Sequence, residues 1–190
     1  GTSYRKYRMK IAAIHHSCDL YGSSRSFIRA LQALKSVQFI EQIDVFIPCQ
    51  GALFSELIAR GFKVSVVPMF VLSKKILKGR EGFGTWLRLL RATTTWRRVV
   101  RSYDGVYVNS IVEASLLLAL MTVRKPRVVH IREILPRSLS VFFSFYFRLT
   151  GVCTISNSHA TRSSMGLPKT VFNVVVWNGT QPIAPTSSRE

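Results

Sequence analysis

Residues 10–31 read KIAAIHHSCDLYGSSRSFIRAL. A short β-rich run, KIAAIH (10–15), gives way to a polar loop. A helix is predicted over 24–35, where Phe27, Ile28, Leu31 and Leu34 recur at i, i+1, i+4 and i+7. Strand, loop and helix in that order form the opening unit of a βαβ fold.

The alternation continues outward. IDVFIP (43–48) reads as a strand stopped by Pro48, GALFSELIARG (51–61) as a short helix closed by Gly61, and KVSVVP (63–68) as a strand. A basic, glycine-bearing loop (73–84) leads into a long helix over 85–102. Trp86, Leu87, Leu90 and Val100 give that helix an apolar side, and Arg88, Arg91, Arg98 and Arg101 a basic one. Strands are predicted at 104–109, 126–131, 152–156 and 170–179, with helices at 111–123, 137–149 and 157–165. About seven strands with helices in nearly every gap predict an α/β, Rossmann-like, doubly wound parallel sheet with helices on both faces. RVVHI and NVVVW are continuous apolar runs, as strands covered on both faces are. The domain is read as 9–180. Residues 1–8 precede Met9, and the Pro/Ser/Thr-rich 181–190 reads as a linker.

The 190 residues are 47% apolar, enough for one buried core, and the net charge is +18. That charge favours anionic partners: nucleic acid, anionic lipid or a phosphorylated small molecule. Three widely spaced cysteines, Cys18, Cys49 and Cys153, argue against a disulfide framework or zinc ribbon and for a reducing, cytoplasmic setting. No run reaches the roughly 20 apolar residues of a spanning helix.

Four places carry chemistry. In HHSCD (15–19), consecutive side chains of a strand point oppositely and no H-E-x-x-H spacing or distant partner set follows, so no metal is expected. The same loop suits a phosphate: Gly22 permits close approach, and the Ser24–Ser26 amides open a helix. Ser23 or Ser24 could also simply cap that helix. In VVHIREILPR (128–137), His130, Arg132 and Glu133 gather at a strand's carboxyl end, either for acid/base and charge-stabilising work or as a core histidine beside an ion pair. Asn109 and Ser110 end another strand, as ligand contacts or as a helix cap. LSVFFSFYFRL (139–149) is an aromatic helix too short to span a membrane. It is either core or, with the basic charge, a contact to an anionic membrane surface.

These segments, in this order, resemble the N-terminal half of the GT-B glycosyltransferases of family 4, over about residues 9–180. HHSCDLYGSSRSFIRAL resembles that family's D-x-Y-G-x-x-R-S-L loop and helix, and PCQGALFSELIARGFKVSVVP its second βαβ step. DGVYVNS and VVHIREIL resemble the strand ends that carry an Asn/Thr-Ser pair and a histidine. CTISNSHATRSSM and VFNVVVWNGT resemble its V-S-x-x-x-x and V-x-x-N-G segments. The resemblance implies a retaining transfer from a nucleotide-diphosphate sugar to a glycan or lipid-linked acceptor, with no cofactor and no metal. It implies an acceptor and donor-phosphate loop of His16, Asp19, Gly22, Ser23, Ser24 and Arg25, and acceptor contacts from Asn109, Ser110, Arg132 and Glu133. His130 would act catalytically beside the sugar, and Asn178-Gly179 would form the interdomain hinge. Ser24 departs from the acidic residue common there, and one glycine stands where many members have two. The family's E-x7-E segment lies in a C-terminal donor domain absent from these 190 residues, so the chain alone is expected to be inactive. An envelope-polysaccharide or lipopolysaccharide enzyme, peripheral at the inner membrane face, fits the basic surface. The rivals are a basic nucleic-acid-binding domain, with charge alone as warrant and no RNP, HTH or zinc-finger pattern, and a sugar- or nucleotide-binding module without chemistry.

Overall fold

A computed structural model describes residues 8–70 and 83–177. In chain order they form β1 (Met9–His15), α1 (Gly22–Lys35), β2 (Ile40–Ile47), α2 (Ala52–Ala59), β3 (Lys63–Val66) and α3 (Phe83–Arg101). Then come β4 (Gly105–Asn109), α4 (Ala114–Leu120), β5 (Arg127–Ile131), α5 (Arg137–Thr150), β6 (Cys153–Ser156), α6 (His159–Met165) and β7 (Asn173–Val175). The seven strands make one sheet, ordered β3-β2-β1-β4-β5-β6-β7 and parallel at every pairing. The predicted α/β class holds.

Strand order and handedness together decide where the helices go. From β1 the chain steps one way to β2 and β3; from β4 it steps the other way to β7. Crossovers between parallel strands are right-handed, so reversing the step moves the helices to the opposite face. Accordingly Phe27 and Leu31 of α1 and Leu53 and Leu57 of α2 pack with Ile11, Ala13, Val45 and Ile47. Trp96 of α3, Leu116 of α4, Phe143 and Phe147 of α5 and Met165 of α6 pack on the other face, with Ile14, Val108, Val129 and Ile131.

This topology corrects the reading of NVVVW as a strand covered on both faces. Among the described residues no helix covers β5–β7 on the α1 side. Val128, Ile155 and Val174 are only half-buried there, and Val176 and Trp177 are exposed. Among the described residues of the predicted 170–179 strand, Asn173–Val175 alone pair; positions 178–190, including the proposed hinge Asn178-Gly179, lie outside the described residues. The helix predicted at 111–123 is likewise shorter. Glu113 caps α4 by accepting the Leu116 amide, and also accepts Ser115 Oγ at 2.6 Å and the Phe70 amide at 2.6 Å. Three donors offset the burial that pushes this carboxyl's pKa up.

The first helix begins two residues before the predicted start. Gly22 opens it, and Tyr21 is the N-cap without a side-chain bond, so neither Ser23 nor Ser24 is the cap. The Arg25 amide donates to Tyr21 O at 2.9 Å and is spent inside the helix. The amides lacking an intrahelical acceptor are therefore those of Gly22–Ser24, not Ser24–Ser26.

The cysteine expectation also fails. Cys18, after β1, and Cys49, after β2, form a disulfide with Cα atoms 5.8 Å apart. Pairing of β1 with β2 brings together loops 31 residues apart in sequence. The cysteine count thus carries no argument for a reducing compartment; Cys153 alone of the three is free. The same junction is closed by the Leu53 amide donating to Cys18 O at 3.0 Å. A Cβ on Gly51 would stand 2.7 Å from that oxygen. Gly51→Ala should therefore cost about 1–3 kcal/mol in urea unfolding. Gly22→Ala, with nothing within 4 Å of the added carbon, should shift stability by no more than about 0.5 kcal/mol. Equal effects would contradict this packing.

Candidate functional site

Ligands of open parallel sheets bind beyond the strands' carboxyl ends, where strand order reverses. Here the reversal lies between β1 and β4. Register pairs His15 with Asn109, and Asn109 with His130, so three side chains stand in a row near the ends of β1, β4 and β5. Paired residues share a face, and it is the α1 face: His15 stacks on Phe27 with ring centroids 4.9 Å apart.

One cation sets the hydrogen-bond roles in this row. A guanidinium only donates. Arg132 Nε donates to Asn109 Oδ1 at 2.7 Å, which fixes the amide's orientation. Asn109 Nδ2 then donates to His15 Nδ1 at 2.8 Å. With Nδ1 accepting, the imidazole proton sits on Nε2 and is donated to Ser24 Oγ at 3.0 Å. Arg132 Nη2 also donates to Ser26 Oγ at 2.9 Å and lies 3.4 Å from His130 Nδ1. Tyr107 OH donates to that same Nδ1 at 3.0 Å. The His130 proton is thereby assigned to Nε2, which is buried and has no hydrogen-bond partner among the described residues.

Burial first, then the nearby His16, lowers His15 from 6.5 to about 3. Burial first, then the Arg132 charge, lowers His130 to about 3. Tyr107 is raised to about 12 by burial, against the opposing pull of Arg132. Both histidines are therefore neutral near pH 7 and serve as hydrogen-bonding groups, not as acids. Arg132 keeps its charge although burial lowers its pKa.

Ser110 adds a strained backbone. Its φ is 114°, a conformation non-glycine residues rarely adopt and one that clusters at functional sites. Its amide donates to His130 O at 2.9 Å and its hydroxyl to the Glu133 carboxylate. Glu133 also accepts the Arg132 amide at 3.1 Å. The ends of β4 and β5 are thus tied through both backbone and side chains.

The residues singled out in the sequence divide into three groups. Asn109, Ser110, His130, Arg132, Glu133 and Ser24 meet in this cluster, with Ser24 buried and engaged by His15. Gly22, Arg25 and Asp19 are exposed around it, Ser23 is half-buried, and His16 stands edge-on to His15 with centroids 5.0 Å apart. Asn178 and Gly179 are not described. His15 and Tyr107 belong to the cluster but are not among the expected site residues, and Ser26, expected to act through its amide, joins through its hydroxyl. The two-residue period of a strand held that information: Ile11, Ala13 and His15 share one face, as do Tyr107 and Asn109. Among the described residues, no group of three His, Cys, Asp or Glu side chains converges as a metal site would require.

The buried imidazoles make a pH prediction. The unfolded chain binds more protons than the fold between 6.5 and about 3. Stability from these rings is therefore present above pH 6.5 and lost as pH falls toward 3. Two such groups set a limiting slope of about 2.7 kcal/mol per pH unit. Urea unfolding between about pH 7 and about pH 5 should show stability falling, with the slope about halved in His130→Gln. A flat profile would exclude neutral burial.

No protein-family profile matches the sequence, and no curated protein matches it. Solved structures do. The Anabaena protein Alr3699/HepE, solved with UDP and glucose, has a TM-score of 0.67 at 18% identity, over 91% of this chain and 45% of its own. A putative UDP-N-acetylglucosamine 2-epimerase of Listeria monocytogenes gives 0.54 at 14% identity, over 83% and 41%. Acinetobacter baumannii MurG gives 0.54 at 11% identity, over 90% and 46%. The chain spans less than half the length of each. These are GT-B folds, and this chain has the fold of one of the two Rossmann-like halves of that architecture.

Proposed function

We propose that the chain is the acceptor-binding half of a retaining glycosyltransferase, working with a donor-binding second half of the same protein. The sugar comes from a nucleotide-diphosphate sugar and passes to a glycan or lipid-linked acceptor. One observation carries the reading: Arg132 is held on Ser26 and Asn109 at the reversal of strand order, the place where this class of sheet binds ligands. The fold likeness supports it, since HepE is solved with UDP and with UDP-glucose.

In the transfer, the bond from the anomeric carbon to the diphosphate oxygen breaks. A bond to the acceptor hydroxyl oxygen forms on the same face, and the hydroxyl proton leaves with the diphosphate. Negative charge grows on the leaving group. The unspent Gly22–Ser24 amides at the start of α1 face such charge, with Arg25 exposed beside them. Arg132 supplies a fixed cation, and Asn109, Ser110 and Glu133 offer polar contacts to acceptor hydroxyls. His130, neutral and bonded to Tyr107 beside Arg132, is the residue assigned to the transferred sugar. No resident metal is assigned a role.

Catalysis of this kind needs both walls of a cleft around the reacting atoms. The 190-residue chain alone should release no sugar from a nucleotide-diphosphate donor above the uncatalysed rate. Robust turnover by it alone would refute the two-wall requirement. Joined to a donor-binding half, it should transfer sugar, and Arg132→Ala should lower kcat about 100-fold or more. Arg98→Ala, on the exposed side of α3, should change kcat less than about twofold. Equal losses from both variants, or no transfer from any nucleotide-sugar offered, would refute the assignment.

A further inference from the structure

α5 carries two apolar stripes. Phe143, Tyr146 and Phe147 face the core, and the Tyr146 hydroxyl donates to Leu117 O of α4 at 2.7 Å. Val141, Phe142, Phe145 and Leu149 point the other way and are 60–64% exposed. That second stripe has i, i+1, i+4 and i+8 spacing, so it is a continuous band rather than scattered exposure. On the same layer, α3 departs from its predicted apolar and basic sides: Leu89, Trp96 and Val100 are buried, whereas Trp86, Leu87 and Leu90 are exposed, as are Arg88 and Arg91.

Charge narrows the occupant. Among the described residues, the four helices on this side, 83–101, 114–120, 137–150 and 159–165, hold eight arginines and no aspartate or glutamate. A nucleic acid would match the arginines and leave the aliphatic and aromatic band unpaired. An anionic bilayer surface matches both: apolar side chains enter the acyl boundary while arginines reach lipid phosphates. No helix among the described residues is long and apolar enough to cross a membrane, so the contact is in-plane.

We infer that the outer face of α5 and the N-terminal half of α3 dock this protein on an anionic lipid bilayer. Helices that connect parallel strands run back antiparallel to them, so the N-termini of α3 and α5 lie toward the carboxyl edge that holds Arg132. The connection is short: from Arg132 and Glu133, exposed Ile134 leads through Leu135 and Pro136 directly into α5. A bilayer against α5 therefore lies next to the candidate site. Under the proposed function, that placement presents a lipid-linked acceptor to the site; the docking itself requires no transfer chemistry.

Vesicle co-sedimentation tests the docking without reference to catalysis. The 190-residue chain should sediment with vesicles of phosphatidylcholine and phosphatidylglycerol and only weakly with phosphatidylcholine alone, and added salt should release it. Phe142→Ser combined with Phe145→Ser should lower the partition coefficient about tenfold or more, with circular dichroism unchanged. Arg88→Gln combined with Arg91→Gln should lower it about fivefold or more. Phe39→Ser, an exposed aromatic in the turn before β2, should change it less than about twofold. Sedimentation that needs no anionic lipid, survives the Phe142/Phe145 double variant, or falls equally with Phe39→Ser would overturn the inference. So would size-exclusion data showing that Phe142 and Phe145 instead close a dimer of this chain.

Discussion

The donor-only character of one guanidinium organises the carboxyl edge of this sheet. Arg132 fixes the Asn109 amide, the amide fixes the His15 tautomer, and the tautomer directs its proton to Ser24. Each role follows from the one before, so the Asn109 amide and the His15 ring are held in one orientation. The relay joins β5, β4, β1 and α1, with Arg132 and Ser26 106 residues apart in sequence. Hydrogen bonds to a charged group are worth about 1.5–3 kcal/mol each, and here they order polar groups that would otherwise be costly to bury. Positioning and stability are thus the same interactions. A ligand entering this edge meets groups already held in place.

The sheet's connectivity separates that edge from the exposed aromatic band of α5. Because strand order reverses at β1 and β4, right-handed crossovers put α1 and α2 on one side and α3–α6 on the other. The His15–Asn109–His130 row points to the α1 side, and the exposed aromatic band of α5 points outward on the other. The β5–α5 connection, carrying Arg132 and Glu133, is where the two surfaces adjoin.

Much of this was legible in the residues, for identifiable reasons. Strand and helix alternation predicted the sheet because apolar runs and 3.6-residue periodicity are local signals. The strand-end clusters around Asn109 and His130 were legible because polar residues closing an apolar strand must lie at its end. The start of α1 was misplaced because its cap makes no side-chain bond and Gly22 gives no apolar signal. The Cys18–Cys49 pair was missed because spacing along the chain says nothing about which loops β1 and β2 bring together. The role of His15 is not legible in HHSCD, since it depends on Asn109 and Arg132, which are distant in sequence. The aromatic helix 139–149 was open between core and surface, and the structure divides it: Phe143 and Phe147 inside, Phe142 and Phe145 outside.

The net charge of +18 invites a search for a strongly basic pocket, yet the candidate site is not one. Its two central histidines are neutral, and Glu133 lies against the backbone of its central cation, Arg132. The excess of arginine instead accumulates on helices that carry no carboxylate of their own. These distributions suit different tasks. An edge built of fixed donors and acceptors gains specificity from them, because an unpaired buried polar group is costly. A surface that finds an anionic bilayer needs many exposed, interchangeable cations with adaptable side chains. One chain can hold both only if the two sets are kept apart, and the reversal of strand order that creates the cleft edge also supplies that separation.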